Sequence, residues 1–132
     1  MANRAFFEIA PGKQFQTFGN ISEPTQFLTA EQRTALGDKP IPRLTVSDTD
    51  ARLALDVEVF EQVEGYDGNM KSETHMIRLP DTPENRSAVK PGVISFDGLR
   101  AIASAYMSGN RAQLRVYYTA DCVAGASGRR GD

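Results

Sequence analysis

The stretch from Arg52 to Glu64 constrains this chain more than any other. Leu53, Leu55, Val57 and Val59 alternate with Ala54, Asp56 and Glu58. That period of two marks a half-buried β-strand, because successive side chains of a strand leave opposite faces of the sheet. The alternation slips at Phe60 and resumes on the other parity at Val63, which predicts a bulge near residues 60–62. Gly65-Tyr66-Asp67-Gly68-Asn69 then supplies turn chemistry, since Gly and Asn tolerate positive φ and an Asp side chain caps the turn. Ser72 to Leu79 returns as the partner strand, stopped by Pro80.

Shorter elements flank this hairpin. Arg4–Ala10 and Lys13–Phe18 read as two strands joined at Pro11-Gly12, and Arg43–Ser47 reads as a third after Pro40-Ile41-Pro42. A short helix is expected at 30–36, because Thr29 and Gln32 have capping-box spacing and Gly37 sits where a left-handed cap belongs. So short a helix is not stable alone and needs packing to hold it. A second helix is expected at 98–108: Asp97 can cap it, Leu99, Ile102, Ala103 and Tyr106 share one helical face, and Gly109-Asn110 ends it. Gln113 to Thr119 alternates again, with Leu114, Val116 and Tyr118 opposing Gln113, Arg115 and Tyr117. The resulting expectation is a β-rich α+β domain of about six strands, a small barrel or an antiparallel sheet covered on one face, with two short helices.

The chain has 132 residues, 40% of them hydrophobic, enough for one core and too few for two. A single domain over 1–124 and a flexible polar tail over 125–132 are expected. No segment approaches a membrane span, and no basic-then-apolar leader opens the chain. Cys122 is the single cysteine, so no intrachain disulfide can form, which fits a cytoplasmic or virion setting. The net charge of −2 is unevenly spread: residues 1–85 carry eight Lys/Arg against fourteen Asp/Glu, and residues 86–132 carry seven against three. An acidic front and a basic back suit self-association or an anionic ligand unless folding mixes them.

Catalytic and metal chemistry find little material. Asp48, Asp50 and Asp56 could approach one hard cation, yet the glycine and glutamate of a calcium loop are missing, and a solvated turn is the simpler reading. His75, the one histidine, lies two residues from Glu73 on one strand face; a surface histidine is favoured over a metal or acid–base pair. Cys122 has no second histidine to serve it, no Gly-x-Ser-x-Gly elbow occurs, and Pro91-Gly92 lacks the lysine of a phosphate loop. No catalytic residue, metal or cofactor is expected. Arg130-Gly131-Asp132 spells an adhesion tripeptide, read as chance in a chain without a secretion leader.

The remaining signal is aromatic rings among basic residues. Single-stranded nucleic acid is held by stacking on such rings along a positive track. The expected contacts are Arg111, Arg115 and Tyr117 on the last strand, Arg129 and Arg130 on the tail, and Tyr66 at the hairpin tip. Tyr117 is expected to be exposed because Leu114, Val116 and Tyr118 claim the inward face, whereas most phenylalanines are needed for the core. Phe7-Glu8-Ile9-Ala10-Pro11 with Gln14-Phe15 and Thr17, then Lys90-Pro91-Gly92-Val93 before Gln113-Leu114-Arg115-Val116, is similar to small filamentous-phage helix-destabilising proteins. That resemblance implies a dimeric five-stranded barrel coating single-stranded DNA. It touches a small share of the chain, and Asn20–Asp50 and the acidic hairpin depart from it.

Three functions are therefore expected in order. The first is a non-enzymatic single-stranded nucleic-acid-binding protein. The second is a self-assembling viral or phage coat or decoration subunit, a homo-oligomer with no membrane partner. The third is a small acidic inhibitor or adaptor that presents Asp56, Glu58, Glu61 and Glu64 to another protein.

Overall fold

The computed structural model describes the backbone of residues 4–9, 12–47 and 49–125, and their side chains apart from those of 4–8, 106, 114 and 115. In chain order the elements are β1 (Arg4–Glu8), β2 (Gln14–Thr17), β3 (Ile21–Ser22), α1 (Ala30–Leu36), β4 (Thr45–Ser47) and β5 (Asp50–Glu64). There follow β6 (Met70–Pro80), α2 (Pro83–Ala88), β7 (Gly92–Asp97), β8 (Arg100–Ser108), β9 (Arg111–Thr119) and β10 (Cys122–Val123).

The β5–β6 hairpin is the spine. Its register runs unbroken from Ala54↔Pro80 to Glu64↔Met70. The turn forms as its residues dictate: Gly68 N–H donates to Gly65 O at 2.9 Å, Asn69 N–H donates to the Asp67 carboxylate at 3.0 Å, and Gly68 takes φ +83°. The bulge expected near 60–62 is absent. Phe60 faces away from the valines because its ring meets Phe18 there, at 5.0 Å between centroids.

Around the spine the strand order is β1-β8-β9-β6-β5-β2-β7-β10, with β3 and β4 also paired to β5. This is a β-rich α+β fold, but the sheet has ten strands, is mixed and does not close into a barrel. Its one parallel junction, Ile77↔Tyr118 and Arg78↔Thr119, follows from the crossover through α2, β7 and β8 between β6 and β9. Parallel pairing sends the β5–β6 and β8–β9 hairpins in the same direction.

The second helix expected from the sequence is corrected here. Residues 98–108 are not a helix: Arg100–Ser108 is a strand paired to β1 on one side and β9 on the other. The short apolar run Ala101-Ile102-Ala103 suits a strand covered on both faces as well as a helix, and pairing on both edges satisfies the backbone that a helix would have satisfied internally. Gly109-Asn110 is then a two-residue hairpin turn, with Gly109 at φ +64° in its first central position. Nor do the two N-terminal strands form a hairpin, since β1 pairs with β8 while β2 pairs with β7 and β5.

The core collects Phe15, Val57, Val59, Ile77, Leu79, Ile94, Phe96, Leu99, Ala120 and Val123. Val57, Val59, Ile77 and Leu79 are odd positions of β5 and β6, as the alternation requires, and full burial of such a side chain contributes about 1.5–3 kcal/mol. Helix α1 has its capping box, with Gln32 N–H donating to Thr29 Oγ1 and Thr29 N–H to Gln32 Oε1. Helix α2 starts with Thr82 as cap and Pro83 in the first turn, and its buried Asn85 donates to Pro80 O while accepting from Val123 N–H. Among the described residues no helix is long and apolar enough to cross a membrane.

Candidate functional site

The even positions of β5 and β6 face away from the core. With β4, β8 and β9 they line an open cleft of about 950 Å³. Among the described side chains three arginines reach it, one each from β5, β6 and β8: Arg52, Arg78 and Arg100. Each has an aspartate. Arg78 donates through Nε and Nη2 to Asp56 at 2.9 and 3.1 Å, Arg52 donates likewise to Asp50 at 3.0 and 2.7 Å, and Arg100 donates to Asp121 at 3.0 Å. The Arg52 side chain and backbone N–H hold the Asp50 carboxyl down at about 2.

The three pairs are thus neutral in sum but dense in donors. A bidentate pair uses two of the five N–H groups of a guanidinium and fixes its plane, so the rest point in set directions. Tyr117, half-buried and opposite Ile102 in register, joins this wall, while Tyr118 turns to the other face beside the core.

The predicted contact residues are scattered. Tyr117 lines the cleft. Arg111 is exposed at the β8–β9 turn, and Tyr66 is fully exposed at the β5–β6 tip, both at the ends of hairpins that run the same way. The Arg115 side chain, Arg129, Arg130 and Asp48 lie outside the described residues. Sequence reasoning missed Arg52, Arg78 and Arg100. That Arg52 and Asp56 share a face of one strand was readable, but which strands lie side by side was not.

Two other features stand out. His75 is mostly buried, between the rings of Phe15 and Tyr118, not a surface histidine; its Nε2 lies 3.0 Å from Glu61 Oε2 and 3.7 Å from Glu73 Oε1. Lys13, and to a lesser degree His75, holds the Glu61 carboxyl below the usual range, while burial raises the Tyr118 phenol. The second feature is an arm. Residues 24–26 run against 42–44, with Gln26 N–H donating to Pro42 O and Leu44 N–H to Pro24 O, both at 2.9 Å. The arm carries α1, none of whose residues is buried, and Phe27, which is 91% exposed.

The front-to-back charge split is partly mixed by folding. Arg86, from the basic back, bonds Asp81 and Glu23 of the acidic front. The acidic row is divided as well, since Asp56 is buried against Arg78 and Glu61 faces the opposite side from Asp56 and Glu58. Compared with known protein families, curated proteins and solved structures, the chain matches none.

Proposed function

We propose that this protein is a non-enzymatic binder of single-stranded nucleic acid, taken up in the arginine cleft. The observation that carries the reading is the convergence of Arg52, Arg78, Arg100 and Tyr117 on one open cleft. Oriented guanidinium donors meet base edges and phosphate oxygens, and Tyr117 offers a ring for stacking. Because each arginine is already paired with an aspartate, base contacts outweigh bulk charge attraction. If Arg52, Arg78 and Arg100 each neutralise one phosphate, they contribute a logarithmic salt slope of about −2. Fluorescence anisotropy with labelled oligothymidine and oligouridine tests this. Binding that weakens about fivefold to a hundredfold in Tyr117→Ala supports it. No binding of either oligomer, or an unchanged Tyr117→Ala variant, rules it out.

A second reading is a self-assembling coat or decoration subunit, favoured by the arm. A helix of seven residues that buries none of them is too short to be held by its own hydrogen bonds. An apolar ring beside it at 91% exposure is contact surface for another chain. Light scattering on an eluting size-exclusion peak decides between an assembly and a monomer at high concentration; the monomer removes this reading.

A further inference from the structure

We infer that Glu61, Glu73 and His75 form a site for a first-row divalent metal ion, best suited to zinc. The three side chains come from facing strands of the central hairpin. Glu61 is the direct register partner of Glu73, and His75, paired with Val59, sits diagonal to Glu61 on the same face. One ligand atom from each lies within 4.8 Å of the other two.

Three properties distinguish this group from ordinary surface carboxylates. Two like charges directly opposed across a strand pair destabilise the pairing unless a cation lies between them. Lys13 bonds Glu61, and with a neutral imidazole, the form that ligates metal, the group still sums to −1. The imidazole is also already aimed. Its Nε2 faces both carboxylates, at 3.0 and 3.7 Å, and the ring is held edge-on between Phe15 at 6.1 Å and Tyr118 at 4.9 Å. Finally, the spacing from the imidazole suits the ion. Ligands about 2.0–2.1 Å from a tetrahedral zinc lie about 3.3 Å apart, between the 3.0 and 3.7 Å from His75 Nε2 to the two carboxylates.

One imidazole with two carboxylates is a borderline donor set that takes zinc, cobalt or manganese ahead of magnesium. Three protein ligands leave at least one position for water. The ion sits on the opposite face of β5 and β6 from the arginine cleft and clamps the hairpin. This inference does not rest on nucleic-acid binding.

The test uses the untagged full chain, titrated with zinc chloride by calorimetry and with cobalt chloride by visible absorption. One ion per chain is expected, with a cobalt spectrum showing nitrogen and oxygen ligands and a rise in Tm on adding zinc. Glu73, half exposed in its side chain, can be changed without disturbing packing. Glu73→Gln and His75→Gln are each expected to weaken zinc binding about tenfold or more, while Glu23→Gln, at the arm base, leaves it unchanged. A wild-type chain that takes up no zinc overturns the inference. So does a Glu73→Gln chain that binds as wild type, or a cobalt spectrum with thiolate charge transfer from Cys122.

Discussion

Asp56 and Arg78 are register partners on β5 and β6, and their side chains close a two-pronged hydrogen bond at 2.9 and 3.1 Å across the floor of the cleft. The aspartate is 8% exposed, so the pair is a fixed part of the sheet. Asp56→Asn leaves Arg78 charged with a neutral neighbour. It is expected to lower stability by about 2 kcal/mol in urea unfolding, because a largely desolvated charge loses its partner. The same change frees one positive charge in the cleft, so oligonucleotide affinity rises at low salt and its salt slope steepens. Opposite signs on the two measurements separate a binding cleft from a purely structural ion pair.

Ile77 is fully buried where β6 meets β9, the parallel junction of the sheet. Ile77→Ala removes contacts with the core and leaves a cavity, at a cost of about 2–5 kcal/mol. Denaturant unfolding measures it. Met76→Ala on the neighbouring position, 42% exposed, is expected to cost less than about 1 kcal/mol.

The contrast between those neighbours was legible in the sequence, because a strand with alternating burial writes its two faces directly into its letters. So were the turn at Gly65–Asn69 and the capping box at Thr29 and Gln32, all decided by residues a few positions apart. What escaped was set at long range. Residues 98–108 carry a short apolar run that serves helix and strand alike, and pairing with β1 and β9 decided between them. The sequence placed His75 and Glu73 on one strand face, but the cleft arginines and the joining of Glu61 to that pair escaped for the same reason, since each depends on which strands meet and in which register.

Asp81 ties the base of the arm to the body. It accepts from Arg43 at 2.7 Å and from Arg86 at 2.6 and 2.8 Å, and Arg86 also bonds Glu23. Arg86 foremost, then Arg43, holds the Asp81 carboxyl at about 2 against an ordinary 3.8. The unfolded chain binds a proton more readily in that interval. The contribution of about 1–2 kcal/mol is therefore complete above pH 3.8 and fades as pH falls towards 2. Stability measured from pH 5 downward is expected to drop less steeply in Asp81→Asn than in wild type, although that variant is less stable at pH 7 because Arg43 loses its partner.

Gly98 turns the chain from β7 into β8 with φ at +71°, and a Cβ there would collide with the Asp121 carboxylate. Asp121 is the partner of Arg100 at the cleft edge. Gly98→Ala therefore costs about 1–2 kcal/mol for the left-handed backbone and pushes Asp121 off Arg100. Combining it with Asp121→Ala removes the clash and is expected to recover part of the loss. Full additivity of the two changes in a double-mutant cycle contradicts this coupling.

Phe27 stands at the start of the arm, 91% exposed, ahead of a helix with no buried residue. A ring that touches so little of its own chain adds little to the fold of one subunit, so Phe27→Ala is expected to shift monomer stability by less than about 0.5 kcal/mol. In an assembly the same ring is buried, and truncating a buried aromatic anchor costs about 2 kcal/mol or more of association. Sedimentation velocity across a concentration series separates the two effects. The expected result is a wild-type chain that grows with concentration and a Phe27→Ala chain that stays smaller at every concentration, with unchanged circular dichroism. If both chains sediment as the same species throughout, the arm is not the contact between copies.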